Sequence, residues 1–252
     1  MGNEVYTPGH TPNAAAFMAR RTWASHGQFF APYLPEAQDV LDVGCGPGTI
    51  TVGMASQIKT GTVWGIDTNV AQIEQAQESA AAQQIGNAHF QVGSCYALPF
   101  EDASFDRVFC HALLEHLATP HKALAEYFRV LKPGGIVGVC SPDWDGLLLA
   151  PASPELTEAA DAYARLQEAN GGDLRIGHKL GTYLMETGFQ EVHMQARYEC
   201  YPSLPFIAQY LALQLERNGQ DTHAHTFRSW CEHEGGLFAQ AWVSAIGMKP
   251  QA

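Results

Sequence analysis

The 252-residue sequence predicts an α/β domain built on a doubly wound, mostly parallel, seven-stranded sheet. Two observations predict it. From residue 39 to residue 140, short apolar runs without polar alternation take turns with helical stretches, the pattern of strands covered on both faces. A loop with a glycine at every second position, Gly44, Gly46 and Gly48, leaves the first of these runs, where open parallel sheets place their ligand turns.

The elements follow in order. Residues 10–34 read as helical and carry Phe17, Arg20, Arg21 and Trp23. "DVLDVG" is the first buried strand, and the chain after Gly48 reads as a helix. "TVWGID" is the second strand, followed by a helix from about Asn69 to Gln84, and "AHFQVG" is the third. "FDRVFC" is the fourth and "IVGVCS" the fifth, separated by a helix from about His121 to Leu131 that Pro133-Gly134-Gly135 ends. Helical segments fill 143–187, with loops at "PASPE" and "NGGD". "QEVHMQARYEC" reads as the sixth strand and "FAQAWVSAIGM" as the seventh, with a helical insertion at about 203–234 between them. Helices at the N-terminus and in this insertion lie outside the sheet, so a cover over the strand ends is the expected place for both.

Composition excludes several function classes. With 26 acids against 14 bases and a net charge of −12, the chain lacks the basic surface that tracks phosphates, so no nucleic-acid partner is expected. The six cysteines stand singly, several inside apolar runs, which suits reduced, buried thiols and a cytoplasmic setting. No CxxC pair suggests a zinc or redox site. The opening "MGNEVYTPGHTPNAAAFMARR" has no basic segment leading into an apolar one, and Tyr6 stands where myristoylation would want Ser or Thr. No apolar run reaches the length of a membrane span, so no membrane partner is expected either.

Glycines at the mouth of the first strand let backbone approach a ligand without interference from Cβ. The spacing here is GxGxG, not the GxGxxG of pyrophosphate-binding turns, and Asp42 stands two residues before the first glycine. Asp67 ends the second strand, where one carboxylate can accept both hydroxyls of a ribose. Adenosine recognition is therefore supported and pyrophosphate recognition is not. An acid at the mouth also suits a cationic or amine-bearing ligand.

At these residues the chain resembles the class I S-adenosylmethionine-dependent methyltransferases, in their small-molecule branch of ubiquinone and menaquinone type. "LDVGCGPG" is similar to the first family motif and "VWGIDTN" to the second-strand acid motif. "VGSCYALPFEDASFDRVFCHALLEHL" and "RVLKPGG" are similar to the third to fifth motif regions, and "GHKLGTYLMETGFQEV" to a late helix–strand unit. The resemblance implies a Rossmann-like methyltransferase fold in a single domain, 1–252. Within it, 1–34 would be an N-terminal cover, 35–142 the cofactor-binding core, and 143–252 the rest of the sheet with its insertion. It implies S-adenosylmethionine as cofactor. Gly44, Gly46 and Asp42 would stand at its methionine part, Asp67 and Thr68 at the ribose, and Ser94 and Cys95 at the adenine. Cys110 and His111 would face the methionine portion and the sulfonium. Ser94 departs from the Asp of many members and offers a neutral contact in its place.

Methyl transfer from a sulfonium needs alignment above all, and a base only where the nucleophile must lose a proton. His111, Tyr6 and Asp143 are the candidates for that role. Tyr6, His10, Trp144 and Arg175 are candidates for holding the acceptor, with Trp144 able to stack on a planar one. His116 reads as a packing residue. "SPDWDG" has a surface likeness to a signature of DNA amino-methyltransferases. It follows the fifth strand and not the fourth, so a nucleic-acid substrate is rejected. His223, His225, Cys231 and His233 have the chemistry of zinc ligands but match no metal spacing, and no metal is expected. Arg20 and Arg21 are candidates for meeting a carboxylate. The reading is methyl transfer to an O, N or C atom of a small, planar or apolar molecule, in a possible homodimer. A non-catalytic cofactor-binding module is the alternative, and a nicotinamide oxidoreductase is disfavoured by the loop spacing.

Overall fold

The computed structural model describes residues 5–9, 12–35, 38–201 and 203–251. Seven strands form one sheet: β1 (Asp39–Val43), β2 (Thr62–Asp67), β3 (Ala88–Val92), β4 (Phe105–His111), β5 (Leu131–Ala150), β6 (Gln190–Cys200) and β7 (Leu237–Met248). Their order is β3-β2-β1-β4-β5-β7-β6, with β1 to β5 parallel and β7 antiparallel to both its neighbours. The mostly parallel, doubly wound sheet is as the sequence predicts.

This order places the site. From β1 the chain winds outward through β2 and β3, then returns to β4 on the other side of β1. Helices leaving β1 and β4 diverge at that point, and the crevice beyond the strand ends is where such sheets bind ligands.

Among the described residues eight α-helices cover the sheet: α1 (Pro12–Ala19), α2 (Thr49–Ala55), α3 (Val70–Ala82), α4 (Pro120–Val130), α5 (Pro154–Ala169), α6 (Leu180–Thr187), α7 (Leu204–Glu216) and α8 (Asp221–Trp230). Local chemistry fixes their starts. The Asn69 side chain accepts from the Gln72 N–H ahead of α3, and Ser153 and Ser203 do the same for α5 and α7, each followed by a proline in the first turn. One core on the α4 and α6 face joins Leu41, Val108, Tyr127 and Leu184. A second, on the opposite face, joins Val40, Met54 and Phe109 to Trp23 and Phe30. A third lies in the cover itself, where α1, α5, α7 and α8 meet around Phe17, Tyr163, Tyr210 and Phe227.

Three local expectations are corrected. Residues 10–34 are not one helix: α1 ends at Ala19, a π-turn spans Trp23–Gly27, and a 3-10 turn spans Ala31–Tyr33. Thr22 and Ser25 cap each other there and restart the chain in a new direction. "SPDWDG" is not a loop, because β5 continues through it and pairs with β7 from Ile136 to Ala150, with a register break between Asp143 and Leu148. Pro133-Gly134-Gly135 does not separate helix from strand; β5 begins at Leu131, and the three residues lie with Lys132 in a bulge between the Phe105–Leu131 and Arg107–Ile136 pairs. Of the six free cysteines, four are buried as expected, whereas Cys200 is exposed and Cys231 partly so.

Candidate functional site

A cavity of about 280 Å³ opens at the crevice beside β1. Its floor is the glycine turn. Gly44, Gly46 and Gly48 take φ of 76°, 51° and 75°, the left-handed region that other residues enter at a cost. A Cβ at Gly44 would meet the Leu113 side chain at 3.0 Å, so bare backbone forms the wall at this point. The N–H groups of Gly44 and Cys45 both donate to the Ile66 carbonyl, at 2.8 and 2.9 Å, and this locks the turn to the end of β2.

Asp67 closes that end. Its Oδ2 accepts from the Gly46 N–H at 3.0 Å and its Oδ1 from the Asn69 N–H at 2.9 Å, which aims the carboxylate along the cavity edge. Gly44, Gly46, Asp67, Thr68, Ser94, Cys95 and His111 all line the cavity, so seven predicted positions from four segments come together. Ser94 Oγ accepts from the Tyr96 N–H at 3.2 Å, which leaves its proton available to a ligand.

Two predicted contacts are not brought there. Neither Asp42 nor Cys110 lines the cavity, and each is buried in the sheet beneath it. Asp42 is buried, accepts from Thr51 Oγ1 at 2.6 Å, and supports the turn from behind. Burial raises its carboxyl to about 7, against the lowering effect of that hydrogen bond. Cys110 lies in the core and accepts from the Tyr127 hydroxyl at 3.5 Å.

Among the candidates for chemistry, His111 is held in the cavity wall. It stacks on Trp242 (ring centroids 4.7 Å apart, 27° between planes) and meets the edge of His26 at 5.1 Å. It is buried, and neither ring nitrogen has a hydrogen-bond partner. Burial, followed by the charge of Arg21, pushes its pKa well below the usual histidine range, so the ring is neutral. A neutral imidazole with both nitrogens unsatisfied is equipped to hydrogen-bond a ligand group. Tyr6 also lines the cavity; its hydroxyl donates to Met18 Sδ at 3.4 Å and its ring meets the edge of His116 at 4.7 Å. The segment carrying Tyr6 is tied to the end of α5, with the Val5 N–H donating to the Asn170 carbonyl at 3.2 Å.

The remaining candidates stand elsewhere. Pro142 pairs with Trp242, so the next residue, Asp143, projects from the opposite sheet face. There its Oδ2 accepts from the His178 N–H at 2.6 Å and contacts His178 Nδ1 at 2.8 Å. Asp143, Asp145 and His178 are the single group among the described residues that could gather round a cation, but these bonds already occupy Asp143. Trp144 packs in the cover core, stacked on Tyr163 at 5.2 Å, with its Nε1 donating to Gln240 Oε1. Arg175 pairs with Asp145, Asp161 and Glu168 at the surface. None of these three lines the cavity, because burial of α5 and the Gly177–Lys179 turn against β5 draws each to a structural partner. His10 lies outside the described residues.

Sequence reasoning missed Met18, Gln72 and Tyr96 in the lining and read His116 as packing only. His116 lines the cavity while Gln167 Nε2 donates to its Nδ1 at 2.6 Å, and burial with the charge of Arg21 pushes it down to about 3. Gln72 sits in the first turn of α3, with Oε1 buried and unpartnered beside Gly46. Its position five residues past Asp67 was the one available signal; Met18 offered none, since α1 reaches the cavity only through tertiary packing.

A family model described as a methyltransferase domain matches residues 35–193. The chain belongs to the methyltransferase domain family. An uncharacterized methyltransferase of Schizosaccharomyces pombe is 31% identical over 204 residues, 78% of this chain and 73% of the relative. The demethylmenaquinone methyltransferase of Lactiplantibacillus plantarum is 31% identical over 179 residues, 65% of this chain and 75% of that one. Among solved structures, Haemonchus contortus phosphoethanolamine N-methyltransferase 2, in complex with phosphomonomethylethanolamine and S-adenosylhomocysteine, superposes with a TM-score of 0.63. That likeness covers 96% of this chain and 59% of the other at 20% identity, and it shows the fold alone. The resemblance to class I S-adenosylmethionine-dependent methyltransferases is borne out, and the cofactor of that family is S-adenosylmethionine.

The donor set suits that cofactor. Asp67 can accept from vicinal hydroxyls, the bare turn at Gly44 and Gly46 admits close approach, and the buried Gln72 Oε1 beside Gly46 has no hydrogen-bond partner. Among the described residues no helix is long and apolar enough to cross a membrane.

Proposed function

We propose that this chain transfers a methyl group from S-adenosylmethionine to an O, N or C atom of a small, planar or apolar molecule. The observation that carries the reading is Asp67, a carboxylate fixed by the Gly46 and Asn69 N–H groups on the rim of a cavity floored by bare glycine backbone. In this reading Asp67 and Thr68 hold the ribose, Ser94 and Cys95 the adenine, and Gly44 and Gly46 the methionine part, while Asp42 braces the turn. Bound there, the cofactor supplies an electrophilic methyl group on a sulfonium.

The chain's own residues do the rest. Tyr6, Met18 and Leu113 add largely apolar surface to the cavity wall, and a lower local dielectric strengthens the polar contacts beside it. His111, rigid between Trp242 and His26, presents an unpartnered ring nitrogen to the acceptor and takes its hydrogen bond. Orientation of this kind is the main contribution a protein makes to a displacement whose leaving group is already good. The cover of α1, α5, α7 and α8 encloses the acceptor, in keeping with small molecules and against macromolecular substrates.

The test is turnover. With isotopically labelled methyl donor and a panel of small phenols, amines and carbon acids, S-adenosylhomocysteine should form only when an acceptor is present. His111→Ala should lower kcat by about 10²-fold or more, while affinity for S-adenosylhomocysteine changes little. Donor binding without turnover on any acceptor class would favour a non-catalytic module instead.

A further inference from the structure

Strand β6 closes the sheet on one side, and among the described residues no strand pairs with its outer edge. From His193 on its sequence alternates. Met194, Ala196 and Tyr198 share a face with Ala245, Val243 and Ala241 of β7, their partners, while His193, Gln195, Arg197 and Glu199 lie on the other face. Residues 193–198 are all exposed, the apolar ones included, with Met194 at 44% and Tyr198 at 52%. Two more exposed apolar side chains widen this patch. Met185 stands one turn along α6 from Gly181, which lies against Met194, and Leu148 shares a row of the sheet with Cys200 through Ala239. These are four of the seven exposed large apolar side chains among the described residues, so apolar surface gathers at this edge.

An open strand edge presents a row of unpaired backbone N–H and C=O groups, and chains that keep it from pairing shorten it or set Pro, Lys or a bulge in it. Residues 193–200 contain neither Pro nor Lys. The register break lies between Gln190 and His193, with Glu191 at φ 50°, so eight residues beyond it run in regular pairing with β7. The polar face then selects the partner. Consider two copies of this strand, antiparallel about a two-fold axis normal to the sheet at Ala196. His193 then stands opposite the partner's Glu199 and Gln195 opposite the partner's Arg197, each twice, while Met194 meets the partner's Tyr198 on the apolar face. Moving the axis spoils this match. At Gln195 it sets Arg197 opposite the partner's His193, with no acid for either, and at Arg197 it sets that guanidinium against its own copy. At Met194 it draws the bulge into the pairing, and at Tyr198 only residues 196–200 stay in register.

We infer that β6 is the interface between two copies of this chain, paired about Ala196 so that their two seven-stranded sheets run on as one. The inference stands apart from the methyl-transfer reading, although the contact reaches the cavity wall. Glu199 accepts from Trp242 Nε1 at 2.8 Å, and Trp242 stacks on His111, so the partner's His193 stands behind the wall that holds His111.

The experiment measures the mass of the full chain by sedimentation across a dilution series, beside Met194→Lys, Tyr198→Glu and the double variant. Both positions are exposed, and thermal melts confirm that each variant folds. The wild type should reach twice the chain mass. Each single variant should weaken dimerisation by about 10-fold or more, since each change enters the interface twice. The double variant should recover the dimer, because every new lysine then faces a new glutamate across the axis. Cross-linking reads the register without disturbing it. With the two solvent-reachable cysteines removed by Cys200→Ser and Cys231→Ser, mild oxidation should link Ala196→Cys to its own copy. Residues directly opposite in an antiparallel pair have Cα atoms about 4.5–5.5 Å apart, within disulfide reach. Gln195→Cys should not link, since its copy is a diagonal neighbour about 7–8 Å away. A chain that stays monomeric up to about 100 µM, where a micromolar complex would be nearly all dimer, overturns the inference and leaves the edge to another partner or to none. So does a dimer that Met194→Lys leaves intact, a double variant as weak as the singles, or linking at Gln195→Cys in place of Ala196→Cys.

Discussion

Asp42 and Asp67 are two acids of one loop system with different work, and the difference lies in which way each points. Asp67 faces the cavity rim, whereas Asp42 is buried under the turn with Thr51 as its donor. The sign of the pH effect follows from the raised carboxyl of Asp42, about 7 in the folded chain against an ordinary 3.8. The folded state binds this proton more tightly than the unfolded state does. The contribution to stability is therefore complete below about pH 4 and is lost as the pH rises toward 7, by up to roughly 4 kcal/mol. Asp42→Asn carries no charge at any pH and keeps an oxygen for Thr51. The melting temperature of the variant relative to wild type should therefore rise between pH 5 and pH 8; parallel melting curves across that range would contradict the burial argument. Glu115, raised to about 7 by its own burial, gives both proteins a common background that the difference removes.

At the scale of elements, the glycine turn and the start of α2 depend on contacts that its sequence spacing announces only in part. A Cβ at Gly48 would lie 2.6 Å from the Ala76 Cβ on α3, at a backbone φ of 75°. Gly48→Ala should therefore cost about 2–4 kcal/mol in urea unfolding, from left-handed strain and overpacking together. Gly86→Ala has open space around it and should stay within about 1 kcal/mol of wild type. Equal effects would mean that α2 and α3 do not meet at Gly48. The strands and their order along the chain were legible because buried parallel strands carry an unbroken apolar pattern. The break of residues 10–34 into three pieces was not, since the Thr22–Ser25 capping pair looks like any other polar turn of helix. Nor was the run of β5 through "SPDWDG", which is decided by pairing with β7, a partner nearly a hundred residues away.

Across the whole molecule, the sheet and its cover contribute different halves of the site. The sheet half, from Gly44 to His111, follows a motif order that a reader of the sequence can recognise, and seven of those positions meet in the cavity. The cover half was legible in part: Tyr6 and Arg21 were candidates from the sequence and line the cavity, whereas Met18 was not. Met18 arrives on α1, where Phe17 stacks on Tyr210 of α7 at 4.0 Å, while the Val5–Asn170 hydrogen bond ties the Tyr6 segment to α5. The same aromatic packing draws Trp144 away from the cavity and into the cover core. Pattern and spacing specify what a segment is, and contacts between distant segments specify what it touches.

The central claim is that this crevice binds the methyl donor through Asp67. Calorimetric titration of the full chain with S-adenosylmethionine, S-adenosylhomocysteine and NAD, beside an Asp67→Ala variant, tests it most directly. The predicted result is binding of both sulfur nucleosides, no binding of NAD, and a loss of about 10-fold or more in the variant, as expected when a charged hydrogen-bond acceptor is removed. Binding of NAD in their place, or nucleoside affinity unaltered by the loss of Asp67, would contradict the account.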